Sequence, residues 1–235
     1  MSVNGALRTD PQSLLRLIQF CDSALPIGAY SQSWGLEAYI TRGSVRRPAE
    51  LDRWVRRWLE STVAPGEGIL VVQAWHCASR DDWEGVASLN DLLTVNRVAE
   101  SLRNASFQQG EALLNLTAGW PWSGHASALL RATNPGPWHH AIVFGALAHP
   151  AGASVEETIA LYLQNAATGV VSAAVRGVPI GHTHGQQILA RLHPLLNELA
   201  EVCVRSSLDQ FGGFSPRYEV MCDAQTQLYT RIFQS

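Results

Sequence analysis

The chain contains no lysine; all 17 of its basic side chains are arginine. That absence excludes a lysine Schiff base and the phosphate-binding lysine of a P-loop, and no GxxxxGKS or GxxxxGKT string occurs. A nucleotide held by this chain alone in the Walker manner is therefore not expected. Charge is scarce, with 16% charged residues against roughly 25% in an average soluble protein. The net charge of −3 argues against a dedicated nucleic-acid binder, which usually carries a concentrated basic face. Low charge leaves two accounts, a deeply buried helical domain or extra apolar surface meant for a partner. The four cysteines, Cys21, Cys77, Cys203 and Cys222, form no CxxC pair. Met1-Ser2-Val3-Asn4-Gly5 lacks an apolar signal core, so reduced cysteines in a cytoplasmic protein are expected. The most membrane-like stretch, Ile159 to Val175, contains Gln164, Asn165, Thr168 and Ser172 and reads better as a buried helix than as a bilayer span.

What is present is mostly helical periodicity. Residues 1–10 read as a flexible arm and 11–235 as one all-α domain, a bundle of roughly eight to ten helices. Leu14, Leu15, Ile18 and Cys21 fall on one face of a first helix, and a second, short one runs from Ser31 towards Arg42 with Gly43 past its end. Pro48 opens the next, where Leu51, Trp54, Val55, Trp58 and Leu59 make an apolar stripe. Pro65-Gly66-Glu67-Gly68 reads as a chain break before Ile69 to Ala78, a run that fits strand or helix and favours helix. One long helical pattern covers Leu89 to Leu116. The clearest helix spans Ser154 to Arg176: Ser154 and Glu157 form a capping-box pair, Gly177 and Pro179 supply the stop, and its small-residue flank marks it as the central helix. A further amphipathic helix carries Ile188, Leu189, Leu192, Leu195, Leu196, Leu199 and Val202, with Pro194 expected to kink it.

Between the first two helices lies a polar, turn-rich loop, Asp22-Ser23-Ala24-Leu25-Pro26-Ile27-Gly28-Ala29-Tyr30-Ser31, closed by Trp34-Gly35-Leu36-Glu37. Its Asp, Pro and Gly residues shape the backbone, yet it holds no complete catalytic set. Ser23 and Ser31 lack a GxSxG elbow, and Glu37 is a lone carboxylate on a short helix, a position usually solvated or cap-bonding. His139-His140 and His182-Thr183-His184 lack the spacing of HExxH, and no cysteine or carboxylate stands at a standard ligand spacing from them. A shaped loop without chemistry points to recognition. Two readings of other classes stay open: a helical metal-dependent hydrolase using His182, His184 and Glu37, and a helical interaction scaffold of some other kind.

Three islands carry a family resemblance. Leu17-Ile18-Gln19 with 22–31 and Gly35-Leu36-Glu37 resembles the N-terminal signature of the UreF urease accessory proteins. The run from Ser172 through Arg176-Gly177-Val178-Pro179-Ile180-Gly181-His182-Thr183-His184-Gly185-Gln186 is similar to that family's helix-end motif, and Tyr229-Thr230-Arg231-Ile232-Phe233-Gln234-Ser235 to its terminal motif. The resemblance implies an all-α protein without catalytic activity or a metal of its own, which dimerises and acts in nickel insertion. Its implied partners are a UreD/UreH-type protein, the GTPase UreG and apo-urease, with nickel and GTP handled by those partners. On this reading Asp22, Ser23, Pro26, Gly28, Tyr30, Ser31 and Glu37 shape one partner-binding or GTPase-regulating surface. Arg176, Pro179, Gly181, Gly185 and Gln186 shape another, and Tyr229, Arg231 and Phe233 anchor a partner-binding tail over about 214–235. The chain departs from the family pattern at Ala29, where a second glycine is common, at Arg176, often lysine, and at Ala224-Gln225-Thr226, where many members carry Arg-His-Glu.

Overall fold

Asp10 starts the first helix. Its Oδ1 accepts the amides of Gln12 and Ser13 at 2.9 and 3.1 Å, and Pro11 occupies the first helical position, where a missing N–H costs nothing. The computed structural model describes residues 10–213, 215–226 and 232–235, so the predicted arm lies outside the described residues except for Asp10, which is a cap. Helix α1 (Pro11–Phe20) is followed by the signature loop and α2 (Leu36–Thr41), then α3 (Pro48–Trp58), α4 (Ile69–Ala78), α5 (Trp83–Asn96) and α6 (Glu100–Thr117). After them come α7 (Gly124–Thr133), α8 (His140–Ala151), α9 (Val155–Gly177), α10 (His182–Arg205) and α11 (Pro216–Thr226). Among the described residues every regular element is helical.

Pro65-Gly66-Glu67-Gly68 does not break the chain. Residues Leu59–Gly68 are π-helical and join α3 to α4 in one rod, which brings the described helices to ten when the rod is taken as one. A π-turn relaxes the i to i−4 ladder, so the proline's missing donor and its ring are accommodated without ending the helix. The run from Ile69 to Ala78 is accordingly helix. The long pattern from Leu89 to Leu116 is instead cut at 97–99, where Arg97 turns extended and its carbonyl accepts Arg103 Nη1 at 3.0 Å.

The packing of α1 reverses the sequence reading of its face. Ser13, Leu17 and Phe20 are buried, while Leu14, Leu15 and Ile18 are 50%, 68% and 60% exposed. Phe20 stacks on Phe144 at a centroid distance of 4.7 Å, and that aromatic contact sets the helix rotation against α8. Val202, placed on the buried stripe of α10 by periodicity, is likewise exposed, and α10 continues through Pro194.

Helix α8 is the most deeply buried, with every residue from Ala141 to Ala148 in the core, packed on α4 and α6. Helix α9 packs on α10, α4, α8, α2, α3 and the π segment. Its capping box forms as predicted, with Glu157 N donating to Ser154 Oγ at 3.1 Å and Ser154 N to Glu157 Oε2 at 2.8 Å. By length and composition α9 could cross a membrane, but half of its most apolar window is buried inside the bundle, the pattern of a core helix. Its C-terminal end emerges beside the signature loop.

Candidate functional site

Local bonds shape the signature loop. Asp22 Oδ1 accepts the Ala24 amide at 2.8 Å, Leu25 N donates to Asp22 O at 3.1 Å, and Ser31 Oγ donates to Gly28 O at 2.8 Å. Gly28 has φ +77° with open space around a would-be Cβ, so it serves backbone conformation alone. Gly35 (φ +80°) serves two needs, because a Cβ there would stand 2.5 Å from Cys222 Sγ on α11. Tyr30 stands out from the loop, 71% exposed.

The last residues of the chain run back along this loop. Gln234 N donates to Ser31 O at 2.8 Å, and Ser33 N and Oγ both donate to Ser235 O at 2.6 Å. Glu37, expected to be solvated or cap-bonding, is buried, and its carboxylate accepts the amides of Ile232 at 2.6 Å and Phe233 at 3.2 Å. Gln225, near the end of α11, donates to Ser33 Oγ at 3.2 Å and Glu37 Oε2 at 3.4 Å. A neutral amide there satisfies the buried carboxylate without bringing a second charge.

Arg176, at the end of α9, ties the third island to the other two. Its Nη2 donates to Tyr30 O at 2.6 Å, and its guanidinium carbon lies 3.5 Å from the Tyr30 ring centroid and 4.6 Å from that of Phe233. A planar cation can lie against aromatic rings while its edge donates to a carbonyl, which an ammonium cannot match. Phe233 is buried on its own chain. Tyr229 and Arg231 lie outside the described residues.

Beneath Tyr30 and Arg176 opens a cavity of about 420 Å³, whose mouth also carries Asp22, Ser23, His182 and Gln186. Its floor is polar: Glu67, from the π segment, pairs with Arg97, and Gln109, His140 and Tyr162 stand beside them. Burial, with the Arg97 charge adding to it and Glu67 opposing it, pushes the His140 imidazole down to about 4; burial and the Glu67 charge raise the Tyr162 phenol. The floor is thus a neutral imidazole and a neutral phenol around one ion pair. Sequence reasoning missed these floor residues, as Pro65-Gly66-Glu67-Gly68 has the composition of a surface turn. The available signal was Gly68 beside this carboxylate, where a Cβ would stand 2.9 Å from Cys203 Sγ of α10, while Gly66 faces open space.

Of the other predicted residues, Pro26 and Pro179 are exposed, Gly181 caps α10, and Gly185 is buried where α10 crosses Val171 and Val175 of α9. His182 and His184 stand exposed in the first turn of α10, away from Glu37, whose carboxylate faces the tail and does not line the cavity. Among the described residues no group of three or more His, Cys, Asp or Glu is placed to hold a metal ion.

A family model described as UreF matches residues 45–193. A urease accessory protein UreF of Methylobacterium radiotolerans is 33% identical over 221 residues, covering 94% of this chain and 96% of the relative. The urease accessory protein UreF of Nostoc sp. is 30% identical over 222 residues, covering 94% of this chain and 95% of its own length. That of Thermosynechococcus vestitus is 29% identical over 223 residues, covering 95% and 98%.

Proposed function

The chain belongs to the UreF family of urease accessory proteins, and from that premise we propose that it is a non-catalytic docking protein in urease maturation. It bridges a UreD/UreH-type protein and the nickel-carrying GTPase UreG on apo-urease, as a cytoplasmic homodimer, and regulates GTP hydrolysis so that nickel is released into the enzyme. Nickel is cargo held by the partners, and GTP is the partner's substrate.

The observation that carries this reading is the junction of Tyr30, Arg176 and Phe233. Three segments remote in sequence are bonded into one frame, and the frame holds up an exposed tyrosine beside a cavity mouth. Tyrosine and arginine on a pre-formed backbone are the side chains that dominate protein interfaces, because little conformational freedom is lost when a partner lands on them. Among the described residues no hydrogen bond joins Ser23 or Ser31 to His182 or His184; the Ser31 hydroxyl donates to the Gly28 carbonyl instead. The hydrolase alternative requires His182, His184 and Glu37 to act together, and Glu37 is engaged with the backbone of 232 and 233.

The test is co-purification of the full chain with UreD-type and UreG-type proteins, comparing the wild type with Tyr30→Ala. Retention of both partners by the wild type, and loss of one by the variant, is the expected result. Failure of the wild type to retain either across a range of salt would overturn the reading.

A further inference from the structure

A second surface pocket, of about 370 Å³, lies between α3 and the start of α11, with Tyr39, Trp54 and Trp58 along its floor. The three rings pack on one another: Tyr39 meets Trp54 edge-on at 5.6 Å and Trp54 stacks on Trp58 at 5.7 Å. The pocket shares only Trp58 with the cavity beneath Tyr30, so its occupant is independent of that site.

The rim carries Arg53, Arg57 and Arg217, all exposed. Arg53 and Arg57 are one turn apart on the same face of α3, and Arg217 comes from the first turn of α11. Among the described residues none of the three makes an ion pair or a side-chain hydrogen bond. The one carboxylate in the wall, Glu50, is bonded to the start of α3, where Oε2 accepts the amides of Arg46 and Arg47 at 2.8 and 3.2 Å, and its charge offsets part of that of Arg53 without forming an ion pair with it. The segments outside the description, 1–9, Phe214 and 227–231, contain no aspartate or glutamate, so they bring no acidic side chain to this rim. In a chain with so few charges, three unpaired guanidiniums around an indole floor are an uncommon concentration.

We propose that this pocket receives an acidic peptide segment of a protein partner, its carboxylates on Arg53, Arg57 and Arg217 and an adjacent apolar side chain on Trp54. Guanidinium forks match carboxylates in a bidentate manner, and the floor supplies the apolar contact that a bare anion leaves unused. A free phosphate would engage the rim alone; a peptide that alternates charge with bulk engages rim and floor together. Ser61, Thr62 and Ser215 line the same wall as a chain of hydroxyls, Thr62 donating to Ser215 at 3.2 Å, Ser215 to Ser61 at 3.1 Å and Ser61 to the Arg57 carbonyl at 2.6 Å, which leaves recognition of the carboxylates to the guanidiniums.

The probe is a fluorescein-labelled hexapeptide of aspartate, glutamate and leucine, followed by fluorescence anisotropy against the full chain, with its asparagine–glutamine counterpart as control. The acidic peptide is expected to bind, and to bind more weakly as salt is added. Arg53→Ser with Arg57→Ser is expected to weaken it roughly ten-fold or more, and Arg217→Ser to act in the same direction. Arg80→Ser, just past the end of α4 and exposed, leaves binding unchanged. Arg57→Lys, which removes the fork but retains the charge and the helix, gives an intermediate loss should the double variant fail to fold. Equal binding of the amide control, unchanged affinity in the rim variants, or saturable binding of inorganic phosphate or GTP without binding of the acidic peptide would each overturn the assignment.

Discussion

Arg176 and Tyr30 stand 146 residues apart in sequence and in direct contact, one guanidinium edge on the tyrosine's carbonyl and one guanidinium face on its ring. The contact is made twice by the same side chain, so the two halves have different requirements. The carbonyl needs a donor, and the ring needs a flat cation. The Phe233 ring lies 4.6 Å from the same guanidinium.

Arg176→Ala removes both halves and is expected to lower stability by about 1 to 2 kcal/mol; Arg176→Lys restores the charge but not the plane and costs about 1 kcal/mol. Urea midpoints measure the first effect. Co-purification with UreD-type and UreG-type partners measures the second, where the alanine variant loses more than the lysine variant. Identical midpoints for all three proteins would mean the contact contributes nothing.

Glu37→Gln keeps the shape of a buried carboxylate but faces an NH₂ group towards an amide that needs an acceptor. The expected cost is roughly 1–3 kcal/mol, with faster cleavage of the last residues under limited proteolysis. A variant as stable and as resistant as the wild type would show that the tail does not depend on the bonds from Ile232 and Phe233.

Gly28 and Gly35 share a positive φ and differ in surroundings. Gly28→Ala carries only the left-handed backbone penalty, about 1 kcal/mol. Gly35→Ala adds a collision with Cys222 Sγ and is expected to cost about 2–4 kcal/mol. Thermal melts of the two variants, ranked the other way round, would contradict this account of the α2–α11 contact.

His139 is buried between Ser106 Oγ at 3.0 Å and Thr94 Oγ1 at 3.1 Å, and burial, reinforced by Arg97 and Arg103, pushes its imidazole down to about 3. An unfolded histidine titrates near 6.5, so below that value the unfolded chain takes up a proton that the folded one refuses. The stability tied to neutral His139 is present above pH 6.5 and is lost as the pH falls towards 3, with a slope of about 1.4 kcal/mol per pH unit at most. Urea midpoints between pH 6.5 and 5, above most carboxylate titration, should fall for the wild type and fall less steeply for His139→Gln. Parallel curves would assign the slope to other groups.

Local signals were readable where a residue's partner is its own neighbour. The Ser154–Glu157 capping box, Pro48 at the start of α3 and Gly43 after α2 all stand where the sequence puts them. The apolar period of α1 was readable too, but not which face is buried, because Phe20 meets Phe144 from outside the local pattern. Pro65 and Gly66 misled because a breaker in an α-ladder is not a breaker in a π-turn. The break at 97–99 carries no Gly or Pro, and it accompanies the pairing of Arg97 with Glu67, 30 residues away. The site follows the same rule. The loop's turn chemistry was visible, while Glu37 and Phe233 acquire their roles from contacts across nearly two hundred residues.

The bonds from Ser31, Ser33 and Glu37 to the last residues of the chain join the signature loop and the terminal motif into one mechanical unit. Changes in the two motifs should therefore show epistasis: combining Glu37→Gln with Phe233→Ala costs less than the two separate losses added together, since either one already frees the tail. Natural variation at one motif is then tolerated or not according to what stands at the other. Arg176 and Gln225 sit on that shared frame and are best exchanged together with their contacts.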